Sequence, residues 1–235
     1  MGKILAVCSG SGGAGKSTVA LSLAVGAAKR GKKTILLDAS GISRSCDLML
    51  GIESIVILDM LDVAKQQASI YTALYQVPGK ERLQFACASL YEDGGASISE
   101  LSGVLLALRA MCDILVIDLP TGQAKLPEEV FDANDALVLL AVPNDVSIRA
   151  LERVIAGLGS CVAQRYLVLN HVQAALAKKH VQYDKKSTEM LLDMPVSALL
   201  AQDDRIEAGC KKGKMAIEVD GRIAAEFYSL LDEVL

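Results

Sequence analysis

Residues 9–18, with the sequence SGSGGAGKST, constrain this chain more than any other segment. They match the pattern Gly-x-x-x-x-Gly-Lys-Ser. In this pattern the glycines let backbone N–H groups curl around phosphate oxygens, the lysine reaches the β and γ oxygens, and the hydroxyl ligates Mg²⁺. The pattern therefore predicts a loop that holds the phosphates of a nucleoside triphosphate.

The segments on either side of this loop support that interpretation. The residues from Ile4 to Cys8 are wholly apolar, as a strand buried on both faces requires. Good helix formers follow the loop as far as Lys29, Arg30 and Gly31, a basic last turn and a glycine stop. We expect a helix whose N-terminus faces the phosphates. A glycine-rich turn without a ligand is the alternative, and these flanks argue against it.

Composition predicts one α/β domain that spans residues 1–235. Hydrophobic residues make up 52% of the chain and aromatic residues 4%, which favours helices packed on a parallel sheet. No run reaches the roughly 18 apolar residues of a membrane helix, and no signal peptide precedes the first strand, so we expect a cytoplasmic protein. The six cysteines form no Cys-x-x-Cys pair, so neither a disulfide framework nor a zinc site is predicted. The net charge of −4 gives no overall attraction to nucleic acid or anionic lipid.

Apolar runs typical of buried strands recur along the whole chain and alternate with helical segments. The clearest helical segments are 99–111, 146–158 and 221–235. This alternation predicts a doubly wound, mostly parallel sheet of about seven strands with helices on both faces, and a ligand site at the carboxyl ends of the strands. The seven predicted strands are 4–8, 33–38, 83–88, 113–118, 136–142, 166–170 and 195–200.

Two of these strands end in a carboxylate, Asp38 and Asp118. Both are expected at the sheet edge that carries the phosphate loop, where Mg²⁺ would be held through water, and Asp118 is the better candidate for the Walker B role. A helix cap or a solvated strand end is the structural alternative for each aspartate.

At this point the chain resembles the MinD/ParA family of P-loop ATPases with a deviant Walker A motif, and its MinD branch most closely. The resemblance covers essentially the whole chain, and it implies a fold like that of MinD and the nitrogenase iron protein. In that family two monomers face each other across their phosphate loops with ATP between them, and a partner protein stimulates hydrolysis. The landmarks are 9–18, 38–51 and 118–122, the latter two similar to the switch regions, with 147–149 and 167–170.

Residue by residue, the resemblance implies ATP and Mg²⁺ as cofactors and a homodimer formed through the ATP site. Lys16 and Asp38 are the implied catalytic residues, and Ser17, Asp38 and Asp118 the implied metal site. Asn170 and Asp203 are implied adenine contacts, although Asn170 also suits a plain strand-terminal turn. The implied cofactor-binding set is Gly12, Gly13, Ala14, Gly15, Lys16, Ser17, Thr18, Asn170 and Asp203.

Two departures from the family pattern bear on catalysis. Ser11 stands where the family has a lysine that reaches the phosphates of the other subunit, and Ser40 stands where it has the carboxylate that orients the attacking water. Ser11 and Ser40 are thus degenerate catalytic positions. A serine hydroxyl is neither a cation nor a base at neutral pH, so we expect hydrolysis to be weak or dependent on a partner. Ser45 and Ala201 also replace the family's asparagine and proline.

Several functions stay open. A nucleotide-dependent dimerisation switch for division-site, flagellar or pilus placement, with an unknown regulatory partner, is favoured. A non-hydrolysing TadZ/CpaE-like pilus scaffold fits the two serines. A ParA-like partition ATPase binding DNA through the lysines at 178–186 and 211–214 is not favoured, because most such runs are solvated helix faces. A metal- or redox-delivery ATPase needs interface cysteines, and 119–160 contains none. The acidic C-terminal apolar stripe favours a core-packed helix and argues against direct membrane insertion.

Overall fold

The fold is organised around strand β1 (Lys3–Ser9), whose apolar residues alternate between two buried faces. The computed structural model describes residues 1–41, 44–88, 98–122, 127, 129–158 and 164–235. In it β1 pairs in parallel with β5 (Ile114–Asp118) on one side and with β6 (Ala136–Ala141) on the other. The strand that leads into the phosphate loop is therefore central in the sheet, as a strand with no polar face requires.

Eight described strands form one sheet. The remaining strands are β2 (Thr34–Asp38), β3 (Tyr75–Gln76), β4 (Leu83–Cys87), β7 (Gln164–Val172) and β8 (Val196–Ala201). The order in the sheet is β3-β4-β2-β5-β1-β6-β7-β8. All pairs are parallel except β3 with β4. The doubly wound, mostly parallel sheet is confirmed, and the seven predicted strands are all present. The two-residue edge strand β3 was not predicted, because it is too short to show a periodic pattern.

Helices connect the strands and cover both faces. The predicted helix at 99–111 divides into a 3₁₀ turn (Ile98–Leu101) and an α-helix, and the other predicted helices agree within two residues. A second 3₁₀ turn spans Ala216–Glu218. The α-helices are α1 (Lys16–Lys29), α2 (Ser45–Leu50), α3 (Met60–Ala64), α4 (Ser102–Ala110), α5 (Asp145–Gly157), α6 (Ala174–Lys178), α7 (Lys185–Leu192), α8 (Asp204–Cys210) and α9 (Arg222–Val234).

The sheet separates two hydrophobic cores. Ile4, Ala6 and Cys8 of β1 belong to the core that includes residues of α4 and α5. Leu5 and Val7 belong to the opposite core, which includes residues of α1 and α9. Because both faces of β1 are covered, its main chain is fixed up to the residue where the phosphate loop begins.

Helix α9 closes the second core, as its apolar stripe predicts. Ile223, Phe227, Leu230, Leu231 and Val234 are all buried. On the polar side, the Glu226 carboxylate accepts a hydrogen bond from the Ala201 N–H at 2.9 Å and ties the helix to β8. Within the described ranges, none of the helices is both long enough and apolar enough to span a bilayer.

None of the described cysteines is in a disulfide. Cys8, Cys46, Cys87 and Cys112 are buried, Cys210 is partly exposed, and Cys161 lies outside the described residues. Buried packing is what their apolar sequence neighbours predict.

Candidate functional site

The phosphate loop depends on a glycine at the start of α1. Gly15 has a φ of 88°, and a Cβ atom there would lie 2.3 Å from Asn170 Nδ2. Asn170 itself is buried, and its Nδ2 donates a hydrogen bond to the Ala14 carbonyl at 2.9 Å. Asn170 of β7 thus contacts the loop directly. A residue with a Cβ atom does not fit at position 15. Added Cβ atoms at Gly12 and Gly13 would meet no described atom within 4 Å, so the outer side of the loop is open.

The first half of the loop is held against α5. The hydroxyls of Ser11 and Ser147 share a hydrogen bond of 3.0 Å, and Ser147 Oγ also accepts from the Val142 N–H at 3.0 Å. The Ser147 N–H donates to Asn144, the N-cap of α5, at 2.9 Å. The Ser11 side chain is therefore bound within its own subunit by neutral partners. Ser147 was not singled out as a partner of Ser11, and no local signal points to a contact 136 residues away.

The two strand-end aspartates lie side by side. Asp38 and Asp118 are register partners on β2 and β5, and both are buried. Ser17 Oγ donates to Asp118 Oδ2 at 2.6 Å, and Ser45 Oγ donates to Ser17 Oγ at 2.9 Å. The predicted metal-site residues Ser17, Asp38 and Asp118 are thus brought together as the strand ends require.

The pKa of Asp118 is strongly perturbed by its surroundings. Burial, followed by repulsion from Asp38, raises the pKa of Asp118 from 3.8 to about 6, while Ser17 and Lys16 oppose the shift. Its Oδ1 atom is buried and has no hydrogen-bond partner among the described residues. This unpartnered carboxylate oxygen and the Ser17 hydroxyl beside the same carboxylate fit a site for Mg²⁺ and its water ligands, because Mg²⁺ prefers hard oxygen donors.

Asp38 is surrounded by donors. Ser40 donates to Asp38 Oδ1 through its hydroxyl at 2.6 Å and through its N–H at 3.0 Å. The Cys46 N–H donates to Asp38 Oδ2 at 3.0 Å, and Cys46 Sγ lies 3.6 Å from Asp118 Oδ2. Burial, together with the two carboxylates, raises the pKa of the Cys46 thiol well above its usual value. Sequence reasoning gave Cys46 no role at this site.

Lys16 is oriented by Thr121, to which the sequence motifs alone assign no individual role. Its Nζ donates to Thr121 Oγ1 at 3.1 Å. Thr121 follows β5 in a turn that the Gly122 N–H fastens to the Ser9 carbonyl at 2.8 Å. Its place in the segment 118–122, which resembles a switch region, was the available signal.

A cleft of about 410 Å³ runs from the start of α1 to α8. Thr18, Asn170, Ala201 and Asp203 all line it, so the two predicted adenine contacts share one cavity. Asp203 is the N-cap of α8 and binds the Arg205 guanidinium at 2.9 and 2.8 Å. These bonds lower the pKa of Asp203 to about 2.

The predicted lysine clusters lie on helices α6 and α7 and in the turns that follow α6 and α8. Seven lysines at 178–186 and 211–214 are exposed. Lys185 pairs with Glu189 at 3.8 Å and Lys211 with Glu207 at 3.1 Å, both one helical turn away. These are the contacts of solvated helix faces.

A glycine-rich loop between a central parallel strand and a helix, with a lysine, a serine and two strand-end aspartates around it, defines the class of P-loop nucleotide-binding domains. The chain belongs to the CbiA family, described as the CobQ/CobB/MinD/ParA nucleotide binding domain, which it matches over residues 5–215.

Individual relatives and solved structures agree with this assignment. The septum site-determining protein MinD of Helicobacter pylori is 26% identical over 245 residues, covering 100% of this chain and 91% of that protein. The MinC:MinD cell division complex of Aquifex aeolicus has a similar fold, with a TM-score of 0.86 at 20% identity over 99% of this chain and 95% of that one. MinD of Pyrococcus horikoshii complexed with Mg-ADP gives a TM-score of 0.82 at 23% identity over 100% and 96% of the two chains.

Proposed function

We propose that this protein binds ATP with Mg²⁺ and acts as a nucleotide-dependent dimerisation switch in cellular positioning, with hydrolysis that is very slow without a partner. The convergence of the phosphate loop, Lys16, Ser17 and the two strand-end aspartates at one sheet edge carries the proposal. Relatives named as septum site-determining proteins support the positioning role.

Each residue of the site has a distinct task in nucleotide binding. The loop N–H groups and the N-terminus of α1 receive the phosphates. The Lys16 ammonium group leaves its hydrogen bond to the neutral Thr121 hydroxyl and binds the phosphates. Because that partner is neutral, the move breaks no ion pair with Thr121. Ser17 would ligate Mg²⁺, with Asp38 and Asp118 holding its waters, and the ion would neutralise phosphate charge. Asn170 and Asp203 line the cleft that receives the base.

Slow hydrolysis follows from what stands at positions 11 and 40. The Ser40 hydroxyl is committed to Asp38, and the Ser11 hydroxyl to Ser147. A positioned base contributes about 10²- to 10⁴-fold to such a reaction, and a cation on the transferring phosphoryl group about 10³- to 10⁵-fold. Binding needs neither group, so ATP retention and turnover are separable in this chain.

The oligomeric state tests the switch. The mass of the native chain and of Lys16→Ala is measured by light scattering after size exclusion, without nucleotide, with ADP and with ATP, each with Mg²⁺. We expect a dimer only for the native chain with ATP. A native chain that binds ATP but stays monomeric contradicts the switch, and a chain that binds no ATP contradicts the whole proposal.

Restoring the missing groups tests the explanation of slow turnover. The double variant Ser11→Lys, Ser40→Asp is expected to raise ATP turnover by about 100-fold or more. The matched control Ser11→Ala, Ser40→Ala removes both hydroxyls without adding a charge and should leave turnover at its low level. Unchanged turnover in a Lys/Asp variant that still binds ATP favours the second candidate, a non-hydrolysing scaffold, which the commitment of both serine hydroxyls supports.

A further inference from the structure

The start of helix α5 is the surface against which the first half of the phosphate loop packs. A Cβ atom at Gly10 would lie 2.2 to 2.4 Å from main-chain atoms of Ala150 and Leu151, so the main chains of the loop and the helix are in direct contact. One residue further on, the hydroxyls of Ser11 and Ser147 lie 3.0 Å apart. The loop therefore meets α5 at two consecutive residues, first through its main chain and then through a pair of hydroxyls.

The Ser147 hydroxyl is used by the loop and not by the helix cap. Ser147 is the third residue of α5, and its N–H is already satisfied by Asn144, the N-cap. The residue is 3% exposed, and its Oγ accepts from the Val142 N–H. A hydroxyl has one proton and two lone pairs, so its proton or its second lone pair is left for Ser11.

Helix α7 has a serine at the same position without a loop to hold. Ser187 is the third residue of α7, and its N–H donates to the N-cap Asp184 at 2.8 Å. Its hydroxyl also donates to Asp184, at 2.6 Å. Capping the first turn of a helix therefore does not require the long-range contact that the Ser147 hydroxyl makes.

Ser11 is the last anchored residue before the open part of the loop. Its carbonyl accepts from Ser9 Oγ at 2.9 Å, and its side chain is bound to α5. Cβ atoms added at Gly12 and Gly13 would meet no described atom within 4 Å. On the far side, the Ala14 carbonyl accepts a hydrogen bond from the end of β7. The two glycines thus form a short free span between two anchors, and glycine loses the most conformational entropy when it is ordered.

We infer that Ser147 is a positioning residue for nucleotide binding. Its hydroxyl anchors Ser11, and the anchored loop holds its N–H groups in the arrangement that receives phosphates before the nucleotide arrives. Such preorganisation raises affinity because less conformational freedom is lost on binding. The inference rests on the proposed nucleotide binding and adds that the anchor lies within one subunit, so the loop is ordered in the monomer.

Two alanine substitutions test the anchor. The dissociation constant of a fluorescent ADP analogue with Mg²⁺ is measured for the native chain, Ser11→Ala, Ser147→Ala and the double variant. ADP is used so that ATP-dependent dimerisation does not contribute. The net worth of one hydrogen bond corresponds to about 2- to 12-fold in an equilibrium constant, so we expect each single variant to bind about fivefold more weakly. The double variant should also bind about fivefold more weakly, because both substitutions break the same bond.

Two controls separate positioning from stability. Ser187→Ala removes the equivalent hydroxyl of α7 and should leave the dissociation constant unchanged. Ser11→Thr keeps the hydroxyl, and its added methyl group has room in the cavity of about 420 Å³ that Ser11 lines, so it should bind like the native chain. A merely structural role of Ser147 would lower the free energy of unfolding without any dependence of ADP affinity on the residue at position 11.

The inference is overturned by single variants with native affinity, by a double variant in which the two losses multiply to about 25-fold, or by an equal loss in Ser187→Ala. A native chain that binds no ADP contradicts the proposed function and removes the inference with it. If circular dichroism shows that Ser147→Ala does not fold, the two variants at position 11 decide. Weaker binding by Ser11→Ala than by Ser11→Thr supports the anchor, and equal affinities overturn it.

Discussion

Replacing Asp118 with asparagine tests whether the site keeps a charge at the expense of stability. Burial and the neighbouring Asp38 raise the pKa of Asp118 from 3.8 to about 6. This shift is about two pKa units, and each unit corresponds to about 1.4 kcal/mol. In the metal-free protein the ionised carboxylate therefore lowers the free energy of unfolding by about 3 kcal/mol at pH values above the folded pKa.

The sign of the pH dependence follows from proton binding. Between pH 3.8 and about 6 the folded state binds the Asp118 proton more tightly than the unfolded state, so stability falls as pH rises through this interval. Near pH 4 and below, the carboxyl is mostly neutral in the folded state and the cost largely disappears. Asparagine has the same shape, and its carbonyl can accept from Ser17 as Asp118 Oδ2 does. We expect Asp118→Asn to stabilise the chain by about 3 kcal/mol at pH 8 and by close to nothing at pH 4.

Urea unfolding in EDTA at the two pH values measures this difference. With a slope near 3 kcal/mol/M, the midpoint of Asp118→Asn should move up by about 1 M at pH 8 with the slope unchanged. Asp220→Asn, at an exposed aspartate, is the matched control and should not move at either pH. A destabilised Asp118→Asn at pH 8, or an equal shift at both pH values, refutes the reasoning.

Three further substitutions test the support of the site and of the core. Gly15→Ala places a Cβ atom 2.3 Å from Asn170 Nδ2 at a residue whose φ is 88°. We expect the free energy of unfolding to fall by about 1–3 kcal/mol and the variant to lose its binding of a fluorescent ATP analogue. Binding at the native level would contradict this expectation. Asn144→Ala removes the acceptor of the Ser147 N–H and should lower the free energy of unfolding, measured in urea, by about 1 kcal/mol. An unchanged free energy of unfolding would show that this N-cap does not stabilise α5. Leu230→Ala, fully buried in α9, should cost about 2–5 kcal/mol, and a smaller loss would mean that α9 packs loosely.

Much of the fold was predictable because its strands are buried on both faces. The run 114–117 is apolar throughout, and Asp118 after it marks the carboxyl end of the strand, so the strand, its direction and the edge of the site are all indicated by one short segment. The edge strand β3 was missed because a partly exposed Tyr-Gln pair has no such signature. The helix at 99–111 was found, but its 3₁₀ first turn was not, since periodicity does not separate the two forms over one turn.

The site was predictable where one local motif carries the chemistry, and not where partners are distant in sequence. Lys16 and Ser17 follow from the loop pattern, and Asp118 from its strand. The bond between Ser11 and Ser147 joins residues 136 positions apart, and only the packing of the loop against α5 creates it. Cys46 contacts Asp118 from 72 positions away, and no local sequence pattern around Cys46 indicates this contact.

The central position of β1 has a consequence for synthesis of the chain. Its neighbours β5 and β6 are made more than a hundred residues after it, so the strand made first waits for partners that arrive late. Such long-range pairing slows folding and leaves apolar segments exposed in the meantime. The phosphate loop, although encoded at the very beginning, can take its final form only after the strands from the middle of the chain have been made, and until then the apolar residues of β1 lack the neighbours that bury them.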